Sequence, residues 1–116
     1  MPLKRFEDSK AWQKAMEMAI AVTDAVDGCK RFAFVDQIYR ASISVSSNIA
    51  EGFERPTKPD RMKYLVIAKG SCNETRSLIH FGMRKELFDK ETHDRLLGLV
   101  DETGRLVHAV MNSPYM

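Results

Sequence analysis

Gln37-Ile-Tyr-Arg-Ala-Ser-Ile-Ser-Val-Ser-Ser-Asn-Ile-Ala-Glu-Gly52 is the stretch whose reading decides the fold. From Ala41 to Ala50 no side chain is charged, although Asp, Glu, Lys and Arg make up 29% of the chain. Serine and β-branched residues, which form helices weakly, dominate it. Locally, Ile43 and Val45 alternate with Ser42, Ser44 and Ser46, a strand pattern. At longer range Ile38, Ser42, Val45, Ile49 and Phe53 recur at three- and four-residue steps, a helix pattern. The apolar rhythm persists from Val35 to Phe53, too long for an ordinary strand and normal for a helix. Length therefore predicts a buried helix.

On that helix Arg40, Ser44, Ser47 and Glu51 fall in one line, with Asn48 beside them. Such a line is either a reactive site or a set of helix–helix hydrogen bonds, with small serines letting backbones approach. The sequence favours hydrogen bonding, because no histidine or cysteine stands beside the line to act as base or nucleophile.

Working outward, the pattern predicts helices over about residues 8–27, 35–54, 58–86 and 89–112 of a single domain spanning 1–116. Asp8 or Ser9 caps the first, which presents Trp12, Met16, Ala19, Val22 and Val26 as its core stripe. Ala11, Ala15, Met18 and Ala25 widen that apolar surface, and Gly28 ends the helix. Phe32 and Phe34 are expected to plug the end of the core. Gly52–Asp60 contains a glycine and two prolines and reads as a loop, with Thr57-x-x-Asp60 starting the third helix. That helix buries Leu65, Ala68, Cys72, Thr75, Ile79 and Met83, and its small central residues admit a close neighbour. Glu74 lies among Ile67, Ser71, Leu78 and Phe81, which predicts a partly buried carboxylate with Arg40 as its partner. Asp89 caps the fourth helix, whose stripe is Leu96, Val100, Thr103, Val107 and Val110, and Asn112-Ser113-Pro114 ends it. Short connections make this an all-α, antiparallel, up-down-up-down four-helix bundle. Ile67, Leu78, Phe81 and the extra alanines exceed what one interior needs, which points to self-association.

Several chemistries lack their residues. No Glu has a His three positions later, as di-iron bundles require, and there is no H-x-x-x-H, C-x-x-C-H, G-x-x-x-x-G-K-[ST] or G-x-S-x-G. His80, His93 and His108 are dispersed, and Cys72 sits mid-helix among apolar neighbours as an inert thiol. No catalytic residue, metal or cofactor is assigned. Cys29 and Cys72 form no framework, no apolar run is long enough to span a bilayer and the N-terminus lacks a signal-peptide core; a soluble cytoplasmic protein is expected.

Net charge is only +2, but it is unevenly spread. Residues 61–86 carry six Lys or Arg against two Glu, whereas residues 87–116 carry three against five acidic residues. Lys69, Asn73, Arg76, His80 and Arg84 step along one outer line of the third helix with no carboxylate among them.

Gln37-x-x-Arg40-Ala-x-x-Ser44-x-x-Ser47-Asn-Ile-Ala-Glu-Gly52, followed by Tyr64-Leu-x-Ile-Ala-x-Gly-Ser71 and Glu74, closely resembles the bacterial four-helix-bundle family named after proteins encoded in 23S rRNA intervening sequences. Phe6, Trp12-Gln13, Ala15 and Phe32-Ala-Phe34 match as well, so the likeness runs from about Phe6 to Val110. Ser46 stands where the family usually has proline, and Tyr39 where a second basic residue flanks Arg40. The resemblance implies a bundle that assembles as a homopentamer. It also implies kinship with the accessory variability determinant of diversity-generating retroelements, a basic protein of the same fold that works with a reverse transcriptase and RNA. On the matching positions the resemblance implies Ser44, Ser47, Asn48, Glu51, Ser71 and Glu74 as signature residues of the intervening-sequence family, and Arg40 joins them as a structural candidate.

Beside an enzyme built on the Glu51 and Glu74 carboxylates, two functions stay open. One is a non-enzymatic oligomer whose basic outer faces bind RNA or DNA through Arg61, Lys63, Lys69, Arg76 and Arg84. Five copies would raise +2 per chain to about +10. The alternative is a protein–protein scaffold or accessory subunit that touches no nucleic acid. No membrane partner is expected.

Overall fold

Three helix starts are set by side chains that accept a hydrogen bond from the backbone N–H three residues on. Ser9 accepts from Trp12, Thr57 from Asp60 and Asp89 from Thr92. The computed structural model describes residues 5–113; Pro114, read as a helix-ending residue, and Met1–Lys4 lie outside them. After a short 3₁₀ turn at Phe6–Asp8 come α1 (Lys10–Ala25), α2 (Phe32–Phe53), α3 (Lys58–Arg84) and α4 (Lys90–Met111). Each packs on its neighbours in the order α1–α2–α3–α4–α1, and α2 with α3 share the most extensive contact. The connections are short, so successive helices run antiparallel and close a four-helix bundle measuring 44 × 23 × 19 Å.

Glycine at position 28 takes φ +81°, a left-handed conformation that an L side chain resists, and this turns the chain out of α1. The end of α3 is closed differently. Leu87 N–H reaches back to Gly82 C=O at 2.8 Å and Glu86 N–H to Met83 C=O at 3.0 Å, the paired bonds that finish a helix through a left-handed residue. That residue is Glu86, at φ 58°.

The core combines Ala11, Ala15, Met18 and Val22 of α1, and Val26 just past its end, with Phe34, Ile38, Val45 and Ile49 of α2. Leu65, Ala68, Cys72 and Ile79 of α3 and Leu96, Val100 and Val107 of α4 complete it. Ala19, Val22 and Val26 of the expected first stripe are buried, but toward the start of α1 burial is rotated. Ala11, Ala15 and Met18 face inward, while Trp12 and Met16 are half-buried, the Trp12 ring 5.3 Å from that of Phe6 in an edge-to-face pair. Alanine allows the closest helix approach, so two alanines on one face outweigh the larger residues beside them. The two phenylalanines before the expected start of α2 also separate. The helix begins at Phe32, which leaves that ring 78% exposed. Phe34 turns inward against Phe81 and Phe88, with ring centroids 5.7 and 6.5 Å away.

Buried hydroxyls find partners within their own helices: Ser42 donates to Tyr39 C=O, Ser46 to Ile43 C=O, Thr75 to Ser71 C=O and Thr103 to Leu99 C=O. This internal pairing lets a serine-rich helix be buried without orphaned donors.

Where Phe34 and Phe88 meet, only glycine fits α3. A Cβ on Gly82 would lie 2.5 Å from Phe88 Cζ and 3.0 Å from Phe34 Cζ. Gly82→Ala should therefore lower stability by about 1–3 kcal/mol despite alanine's better helix propensity, as a drop in urea midpoint. An unchanged or raised midpoint would contradict this packing. Glu86→Gly should act the other way, raising stability by about 0.5–1 kcal/mol through relief of the left-handed strain. A lower midpoint for that variant would show that Glu86 is held by contacts the backbone geometry does not explain.

Candidate nucleic-acid interface

The α2 polar line divides once the helices pack. Ser44 and Asn48 turn toward α3, while Arg40, Ser47 and Glu51 remain exposed. Ser71 Oγ of α3 donates to Ser44 Oγ at 2.9 Å, and Asn48 Nδ2 donates to the same oxygen at 2.9 Å and to Ser44 C=O at 2.8 Å. The result is a small hydrogen-bonded seam between α2 and α3. Glu51 pairs with Arg55, four residues on and just past the end of α2.

Glu74 and Arg40 do not form the buried pair expected of them. Glu74 is exposed, and Arg40 Nε instead donates to Asp36 Oδ2 at 3.1 Å within α2. The apolar residues flanking Glu74 in sequence are themselves largely at the surface: Ile67 and Phe81 are exposed and Leu78 half-buried. That environment leaves the carboxylate in water, where it needs no partner.

The five basic candidates fall into two groups. Arg61 and Lys63 lie at the α2–α3 loop end of the bundle. Arg61 Nη1 donates to Arg55 C=O at 3.1 Å, and Lys63 Nζ lies 5.9 Å from the Tyr64 ring centre, with the Arg55 guanidinium over the same ring at 5.3 Å. Lys69 and Arg76 instead line an open groove of about 620 Å³ between α3 and α4, shared with Asn73, Asp101, Arg105 and His108. Arg84 continues the α3 line, close enough for its charge to act on His80.

The groove is not free of carboxylate. Arg76 Nε donates to Asp101 Oδ1 at 2.9 Å, and both side chains are substantially exposed, so solvent screens the pair. Three cationic side chains, Lys69, Arg76 and Arg105, thus face one anionic one. Cys72 is part of the groove lining. Its thiol donates to Val100 C=O at 3.3 Å, and burial pushes its pKa up to about 11. A neutral, hydrogen-bonded thiol is a poor nucleophile, in keeping with its sequence environment. Arg105 and His108 were missed in the sequence because they belong to the acidic end of the chain. Only the α3–α4 pairing sets them opposite Lys69.

The groove's donors suit a polyanion. Lysine and arginine contact phosphate oxygens, asparagine can donate beside them, and neither base edges nor a reacting atom need be engaged. Among the described residues no group of three or more His, Cys, Asp or Glu is arranged to hold a metal ion, and no helix is long and apolar enough to cross a membrane.

A protein of unknown function from the S23 ribosomal protein family of Bacteroides thetaiotaomicron has a similar crystal structure, with a TM-score of 0.83. The two are 23% identical, and the match covers 89% of this chain and 99% of that one. A comparison with curated proteins finds no match. The model of the 23S rRNA-intervening sequence protein family matches residues 7–109, from the 3₁₀ turn almost to the end of α4. The four-helix bundle described above is therefore that of a member of the 23S rRNA-intervening sequence protein family.

Proposed function

We propose that the chain is a non-catalytic, self-assembling bundle that binds the phosphate backbone of RNA or DNA along the α3–α4 groove. The observation that carries this reading is the groove itself, in which Lys69, Arg76 and Arg105 face a single carboxylate, Asp101. Glu51 and Glu74, the carboxylates an enzyme would have used, do not converge: one is paired with Arg55 and the other is exposed. Self-assembly multiplies a small charge per chain. A ring of grooves would bind a polyanion far more tightly than one, because each further contact is made at high effective concentration. Free thiols at Cys29 and Cys72 suit a reducing cytoplasm.

A scaffold role is favoured by a different observation, the exposed apolar side chains Tyr39, Ile43, Val66, Ile67 and Phe81 on the outer faces of α2 and α3. These side chains could bind further copies of the chain or another protein. Both uses can coexist on one bundle, because none of these five side chains lines the α3–α4 groove.

Binding of labelled single-stranded RNA and duplex DNA between 50 and 200 mM salt separates the two readings. Affinity should fall steeply with salt and vary little with sequence. Lys69→Glu combined with Arg105→Glu should weaken binding at least about tenfold and flatten the salt slope by roughly two, one for each lost phosphate contact. The double variant should keep the oligomeric state of the parent. A flat salt response, or full affinity in that variant, would leave the scaffold reading in its place.

A further inference from the structure

Two of the three histidines that look dispersed in the sequence meet in the fold. His80, near the C-terminal end of α3, and His93, in the first turn of α4, bring Nδ1 and Nε2 to 3.2 Å, with ring centroids 5.2 Å apart and planes inclined at 54°. His93 is the better anchored. Its Nδ1 lies 2.9 Å from Asp94 Oδ1, and its side chain is only 14% exposed. The other Asp94 oxygen accepts from Lys90 Nζ at 2.8 Å. A carboxylate on Nδ1 fixes that nitrogen as the protonated one, so the Nε2 lone pair of His93 points at His80.

We propose that His80 Nδ1 and His93 Nε2 form a binding site for a divalent transition-metal ion of the zinc class, with Asp94 as the outer carboxylate. A zinc ion binds imidazole nitrogens at about 2.0–2.1 Å, so two nitrogens on adjacent tetrahedral positions stand roughly 3.3 Å apart. The observed 3.2 Å needs little more than rotation of the two rings. Ion entry moves the His80 proton from Nδ1 to Nε2, leaves both lone pairs facing the ion and releases no net proton from the pair. Burial, followed by the nearby His93 and the Arg76 and Arg84 guanidiniums, lowers the His80 pKa.

The carboxylate–histidine arrangement at Asp94 and His93 is the outer-sphere pattern found behind metal-bound imidazoles, where it orients the ring and raises its basicity. Arg76, Arg84 and Lys90 oppose a dication, and Asp94 and Asp101 offset them. No third protein ligand converges among the described residues, so water fills the remaining positions and the affinity is modest. Occupancy would tie the end of α3 to the start of α4.

Zinc chloride added to the intact protein tests this. The unfolding temperature should rise with zinc concentration and stay unchanged with magnesium, which avoids imidazole. His80→Gln or His93→Gln should abolish most of the rise, Asp94→Asn should weaken zinc binding about 10–100-fold, and His108→Gln should leave it intact. Imidazole nitrogen NMR on the unmutated protein gives a readout independent of how the variants fold: zinc should shift His80 and His93 but leave His108 in place. A zinc response that survives in His80→Gln/His93→Gln, resonance changes confined to His108, or no response at millimolar zinc would overturn the site.

Discussion

The bundle depends on how closely α2 can lie against α3. A helix with no charged side chain from Ala41 to Ala50 has little to offer solvent, and its serines and β-branched residues give it little intrinsic helicity. Packing must supply what propensity does not. The contact is made by small groups: Ser44 against Ser71, Ala68 buried on α3, and Gly52, where an added Cβ would come within 3.4 Å of the Arg61 carbonyl and of Tyr64 Cβ. The serines inside the helix satisfy themselves on the preceding turn, so close approach leaves few polar groups stranded.

The other features follow from that seam. With α2 held against α3, the cationic line of α3 turns to the opposite side and meets Asp101, Arg105 and His108 of α4 to form the groove. The outer faces of α2 and α3 are left with Tyr39, Ile43, Val66, Ile67 and Phe81 exposed, more apolar surface than a bundle needs for its own core. None of those five apolar side chains lines the α3–α4 groove, so the exposed apolar surface and the cationic groove share no residue.

Helix positions were largely legible in the sequence because they are set locally. Ser9, Thr57 and Asp89 are cap residues whose partners lie three positions on, and Gly28 marks a left-handed turn by its identity alone. The errors came where rotation of a helix or pairing between helices decides the outcome. In α1, hydropathy overweights Trp12 and Met16, whereas close packing selects Ala11 and Ala15 for the centre. The apolar sequence neighbours of Glu74 predict burial, yet Ile67 and Phe81 are exposed, Leu78 is half-buried and Arg40 finds Asp36 one turn away. The contacts of His80 with His93 and of Arg76 with Asp101 join residues 13 and 25 positions apart, and periodicity within one helix carries no information about them.

The most direct test of this account is a double-mutant cycle on Ser44→Ala and Ser71→Ala, read by denaturant unfolding. If the α2 polar line is a packing seam, each substitution should destabilise, and the pair should show a coupling energy of about 0.5–1.5 kcal/mol with assembly weakened in parallel. Coupling within error of zero, in variants that fold and assemble normally yet lose a binding activity, would contradict it and return the stretch at Gln37–Gly52 to the status of a functional site.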